Sequence, residues 1–296
     1  MNKQVWLAGL ALATVAQVAA AKELNVVASF TVLADIVQNV GGDHVHVTSL
    51  VGPNGDPHVY EPTPQDATAL KNADAVFVSG LGLEGWMTRL IKVSGYKGSI
   101  TVASTGIHTR KMEDDGKVIT DPHAWNDISN GVIYTRNVIK TLSATDPQDA
   151  AEFARNGEAY IGKLQALDQY AKAKFASIPK ARRKVLTGHD AFGYFGAAYA
   201  VTFLSPVGIS TEAEPAAADV ARLITQIKRE NVAAYFFENS NDPRLVRQIA
   251  SSTGAQPGGE LYVEALSPKT GPAATYEAMF RYNVDTLYAG MTKSTK

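Results

Sequence analysis

The sequence predicts a parallel α/β protein of two lobes joined by one long helix. Three features carry this reading. Short β-branched runs alternate with amphipathic helical stretches, the pattern of strands that cross over through helices. One stretch, 147–178, interrupts the alternation with a sustained helical period. Asp-Pro-His occurs twice, at Asp56-Pro57-His58 and Asp121-Pro122-His123, each time in a loop that follows a strand.

Taken in order, residues 1–21 read as a secretory segment removed before folding. Lys3 gives a short positive region, Val5 to Val18 is apolar and alanine-rich, and Ala19-Ala20-Ala21 offers small residues for cleavage. The run is too short for a membrane span, and no other stretch reaches the roughly 18 apolar residues that a span needs. Strands are expected at 24–29, 45–51, 75–79 and 100–103, and then at 184–186, 201–204, 234–237 and 261–263. Thr63 can cap a helix with Pro64 in its first turn, and Pro215 can open another that runs through Lys228. Over 147–178, Thr145 or Asp146 serves as cap, Pro147 suits the first position and Pro179 follows the end. Phe153, Tyr160, Ile161, Leu164, Leu167, Ala171, Phe175 and Ile178 recur on one face. At 1.5 Å per residue such a helix is roughly 45–50 Å long. As a single helix it forms a spine, residues 146–180, between a lobe of residues 22–145 and one of 181–296. A break near Gly157 or Gly162 would give two ordinary helices instead.

Composition narrows the function classes. The chain has 28 Lys+Arg and 29 Asp+Glu for a net charge of −1, which becomes −2 once Lys3 is removed. Neither nucleic acid nor an anionic membrane surface is favoured as a partner by that balance. Cysteine is absent, so no disulfide, thiolate metal site or cysteine-borne lipid anchor is expected, and a metal site must use nitrogen and oxygen donors.

Open α/β sheets bind ligands beyond the carboxyl ends of their strands. His58 lies in the loop leaving the second expected strand, His123 in the long loop after the fourth, and His189 just after the strand that opens the second lobe. Glu264 directly follows the last expected strand. Two side chains from each lobe would therefore meet at the interlobe cleft. Proline stiffens each Asp-Pro-His corner, and a stiffly presented neutral imidazole loses little entropy on binding a metal. Three imidazoles and one carboxylate suit Zn2+, with Asp121 or Asp190 expected to orient the neighbouring rings. Blander readings stay open here: Asp-Pro-His as a plain turn, His189 as a core histidine, Glu264 as a surface charge. His44 and His46 alternate with Val45 and Val47, as the polar face of a strand would.

Two rival chemistries are weaker. Gly80-Leu81-Gly82-Leu83-Glu84-Gly85 matches the dinucleotide-binding pattern, but it follows the third strand and no acid ends the next one, so it reads as a structural turn. A secreted zinc hydrolase would need Glu264 unbound as general base beside three zinc-bound histidines, and no His-Glu-x-x-His pairing is present.

Together these motifs resemble the metal-binding solute-binding proteins of ABC transporters, the cluster 9 or TroA-like family. The resemblance runs through Asp56 to Pro64, Gly80 to Glu84, Asp121 to Trp125, Gly188 to Phe192, Ser210 to Pro215, Leu261 to Ser267, Gly271 to Ala273 and Tyr276 to Asn283. It implies two four-stranded parallel-sheet α/β lobes joined by one long spine helix. It places the metal ligands at His58, His123, His189 and Glu264, with Zn2+ as cargo and Mn2+ as the alternative. It implies a monomeric periplasmic receptor, not an enzyme; with no cysteine in the chain, that receptor is expected to be secreted without a lipid anchor. Its partners would be a membrane permease with its ATPase, with a metallochaperone as a further candidate. Histidine at position 189 points to zinc, whereas Glu264 replaces the family's usual Asp. That extra methylene requires a shifted backbone or a changed coordination mode. The loop 109–120 holds no histidine, with only His108 ahead of it, which speaks against a metal-sampling role.

Overall fold

The computed structural model describes residues 23–293, except 115, 210, 212–214 and 233. The secretory segment expected at 1–21, Ser210 and residues 212–214 of the Ser210 to Pro215 motif therefore lie outside the described residues.

The first lobe alternates as expected: β1 (Leu24–Ala28), α1 (Thr31–Gly41), β2 (Val45–Ser49), α2 (Pro64–Lys71), β3 (Ala75–Val78), α3 (Met87–Ser94) and β4 (Ile100–Val102). Its strands form a parallel sheet in the order β2-β1-β3-β4, with Val26 opposite both Val47 and Ala75. All four residues of β3 are buried, because a parallel sheet is covered by helices on both faces and its central strand reads as a continuous apolar run. The Thr63 side chain caps α2 as read from the sequence. Its Oγ1 accepts the Asp66 N–H at 3.4 Å, and Asp66 Oδ2 accepts the Thr63 N–H at 2.6 Å.

The loop after β4 is not wholly irregular. It contains an antiparallel hairpin, β5 (Lys111–Asp114) with β6 (Lys117–Thr120), whose polar sequence gave no apolar alternation to read. Then α4 (Ile128–Thr145) leads into α5 (Ala150–Ala176). The spine is thus a single helix that starts at Ala150 rather than Pro147, because Thr145 ends α4 instead of capping α5. Its length is about 40 Å at 1.5 Å per residue. Gly157 does not break it: a Cβ there would lie 2.3 Å from Ile139 Cδ1, so the glycine lets α4 approach closely. The predicted apolar face is the buried one, from Phe153 to Phe175.

The second lobe follows with β7 (Lys184–Leu186), α6 (Gly193–Tyr199), β8 (Thr202–Leu204), α7 (Ala217–Glu230), β9 (Ala234–Glu238), α8 (Arg244–Thr253), β10 (Gln256–Leu261) and α9 (Tyr276–Thr292). Its parallel order, β10-β9-β7-β8, is the first sheet's order read from the other edge. The last strand ends at Leu261, where 261–263 was expected, because its Pro-Gly-Gly sequence hid a strand whose register shifts between Pro257 and Gly259.

Candidate metal centre

At the carboxyl ends of the two sheets, His58, His123, His189 and Glu264 come together. One donor atom from each lies within 4.8 Å of every other. Glu264 Oε1 is 2.6 Å from His58 Nε2, 3.3 Å from His123 Nε2 and 3.1 Å from His189 Nε2. The Nε2 atoms of His58 and His123 are 3.0 Å apart. Donors on a tetrahedral ion with bonds of about 2.0–2.1 Å stand about 3.3 Å apart, and the separations of 2.6–3.3 Å from Glu264 Oε1 to the three Nε2 atoms are close to that spacing.

Each side chain is held by local chemistry. Asp56 Oδ1 accepts the His58 N–H at 2.8 Å, and Asp121 Oδ1 accepts the His123 N–H at 3.0 Å, so both corners are Asx turns. The two corners then differ. Asp121 Oδ1 also accepts the His123 Nδ1–H at 2.9 Å, whereas Asp56 Oδ2 accepts the Thr211 hydroxyl from the second lobe at 2.6 Å. His189 donates its Nδ1–H to Glu238 Oε2 at 2.5 Å. With the Nδ1–H groups of His123 and His189 held by carboxylates, both Nε2 atoms face the common point, where each donates to Glu264 while protonated and offers a lone pair once that proton leaves. Glu264 Oε2 accepts the Ser240 hydroxyl at 3.3 Å.

Burial alone would raise the Glu264 carboxyl, but the charges of His58 and His189 and hydrogen bonds from His123 and His189 hold it well below the usual range. Burial would lower His123 and His189, yet both lie above the ordinary imidazole value. For His123 the hydrogen bonds to Asp121 and Glu264 outweigh burial; for His189 the charges of Glu238 and Glu264 do. A cation entering this site displaces protons.

Of the two acids expected to orient the rings, Asp121 does so and Asp190 does not. Glu238 stands on the His189 ring instead, while the Asp190 backbone N–H goes to Val207 O at 3.0 Å. Adjacency in the chain does not place a carboxylate on a ring nitrogen: the Asp190 carboxyl interacts with the charges of His123 and His189 without a hydrogen bond to either ring among the described residues. Glu238 was readable in principle: it is an acid at the carboxyl end of a strand. His108 and His46 are exposed, and His44 sits in a short turn against Asp149 (2.7 Å) and Glu152 (3.2 Å), not on a strand face. The glycine-rich turn is structural. Glu84 already takes the Ser79 N–H at 2.6 Å and the Gly80 N–H at 3.0 Å, donors that a pyrophosphate would require.

The family model of the zinc-uptake complex component A, periplasmic (ZnuA), matches residues 26–290. The manganese ABC transporter substrate-binding lipoprotein scaA of Streptococcus gordonii is 33% identical over 92% of this chain and 90% of its own length. The iron ABC transporter substrate-binding lipoprotein MtsA of Streptococcus pyogenes serotype M1 is likewise 33% identical, over 92% of this chain and 90% of its own. The periplasmic zinc-binding protein TroA of Treponema pallidum superposes with a TM-score of 0.86 at 31% identity, covering 92% of this chain and all of that one. These relatives correct one expectation. A secreted chain without a lipid anchor was expected from the missing cysteine, but the streptococcal relatives are named lipoproteins and that expectation does not stand. A cysteine count addresses one anchoring chemistry, and nothing in the receptor fold depends on it. By fold, motif and likeness, the chain belongs to the ZnuA/TroA-like family of metal-binding substrate-binding proteins of ABC transporters.

Proposed function

We propose that this chain captures one Zn2+ ion through His58, His123, His189 and Glu264 and delivers it to the permease and ATPase of an ABC importer. The observation that carries the reading is the convergence of four donors from four separate loops, two from each lobe, within 4.8 Å. Three imidazoles and one carboxylate favour a borderline-soft, tetrahedral ion. The lobes are residues 22–145 and 181–296, and the connecting segment 146–180 limits their relative motion to a small rotation or a loop shift.

Manganese and iron are the second reading, because relatives at 33% identity are named for those metals. Zinc binds nitrogen and oxygen sites more tightly than manganese whatever the biological cargo, so the test compares both ions. Metal-stripped protein is titrated with each by calorimetry, with native mass spectrometry for stoichiometry. One tight zinc per chain, abolished in His189→Ala, supports the proposal. Tight manganese binding that survives His189→Ala overturns the zinc assignment, and absence of stoichiometric metal overturns the function.

A further inference from the structure

Beyond Trp6, the chain has two tryptophans, and both indole N–H groups end on the residue immediately before a side chain of the metal centre. Trp86 Nε1 donates to Pro57 O at 2.8 Å, one residue before His58. Trp125 Nε1 donates to Val263 O at 2.7 Å, one residue before Glu264. The first bond stays within one lobe, whereas the second crosses from the first lobe to the second.

Trp125 is fully buried. Its ring lies 4.8 Å from Phe30 and 5.7 Å from His123, centroid to centroid, and its carbonyl accepts the Tyr276 hydroxyl at 2.5 Å. His123 is two residues before Trp125 in the chain. One rigid ring therefore joins the backbone that presents His123 to the backbone that presents Glu264, whose donor atoms stand 3.3 Å apart. An indole N–H is a donor only, with no rotor of its own, so the tie fixes a length.

We infer that Trp125 is a positioning residue that sets the spacing between His123 and Glu264 across the cleft and thereby slows metal release. Trp86 performs the lesser task of steadying the His58 corner within its own lobe. The inference rests on the reading of those side chains as metal ligands.

Trp125→Phe tests it, because phenylalanine keeps the ring packing and removes the N–H. Zinc-loaded wild type, Trp125→Phe and Trp86→Phe are mixed with excess chelator, and release is timed by stopped flow; Tm is measured with and without zinc. Trp125→Phe is expected to release zinc roughly tenfold faster, the weight of one net hydrogen bond. The rise in Tm on adding zinc should shrink, and Trp86→Phe should change release by less than about threefold. Equal loss of Tm in both forms with a wild-type release rate would make Trp125 merely structural and overturn the inference. Equal acceleration in the two variants overturns the cross-lobe assignment. If Trp125→Phe does not fold, Tyr276→Phe, which frees the Trp125 carbonyl, must speed release; a wild-type rate there overturns the proposal. Wild type that takes up no zinc fails at the ligand assignment instead.

Discussion

Glu238→Gln removes one charge and changes almost no volume, yet it should weaken metal binding 10- to 100-fold. The native carboxylate serves four donors. Oε1 accepts the N–H groups of Gly188 at 2.9 Å and His189 at 3.3 Å, and Oε2 accepts His189 Nδ1–H at 2.5 Å and the Asn241 amide at 2.7 Å. Glutamine offers a single acceptor oxygen. If that oxygen turns toward Gly188 and His189 N–H, the amide nitrogen faces His189 Nδ1. The ring must then carry its proton on Nε2, the atom 3.1 Å from Glu264 Oε1, and cannot ligate there. If the oxygen faces Nδ1 instead, two backbone N–H groups are left against an N–H2 group. Loss of such an orienting carboxylate costs 10- to 100-fold in metal affinity, or about 1.4–2.8 kcal/mol. The assay is competition with a chromophoric zinc chelator at pH 7.5. An affinity within twofold of wild type would refute the role of Glu238 in fixing the His189 tautomer.

Three further outcomes are expected. Zinc affinity should fall as pH drops from 8 to 6, beginning above the ordinary imidazole range because His123 and His189 are raised by their carboxylate partners; calorimetry showing a flat profile would count against a three-histidine site. Burial pushes the Asp35 carboxyl up from 3.8 to about 6, against hydrogen bonds from Tyr276 N–H and Tyr160, so its contribution to stability is complete below about 3.8 and lost as pH rises through about 6. Metal-free Asp35→Asn should therefore gain up to about 3 kcal/mol relative to wild type between pH 4 and 7.5 in urea titrations, and parallel profiles would exclude this linkage. A Cβ at Gly131 would lie 2.7 Å from the Tyr276 hydroxyl, which is pinned to Trp125 O. Gly131→Ala should therefore cost about 1–2 kcal/mol net of the better helix propensity, and an unchanged Tm would mean that the tyrosine yields freely.

Much of the architecture was legible because the chain states it locally. The run Ala75–Val78 is apolar throughout, and Thr63, Pro64 and Asp66 spell out a helix start. The stripe from Phe153 to Phe175 keeps its period across two glycines. The four side chains of the candidate metal centre were legible because each follows an expected strand and two share a stiff motif. What stayed hidden depended on partners far away in sequence. Glu238 reaches His189 over 49 positions, and Gly157 makes sense only once Ile139 is beside it. Strand Gln256–Leu261 was misplaced because its proline and two glycines carry no β signal and are held by the neighbouring strand.

Because α5 belongs to both lobes, the molecule has no place to come apart. Asn156 reaches Val40 O at 3.2 Å near one end, and Phe175 packs 5.6 Å from the Phe195 ring near the other. Among the described residues, one apolar body runs from Leu24 to Met291, and a small satellite around Ile227, Val246 and Ile249 stands apart under α7 and α8. Neither lobe can melt without stripping half of a helix that the other still needs. Global unfolding should therefore be one cooperative event, and amide exchange should find its early-opening unit in the α7–α8 layer rather than along the spine.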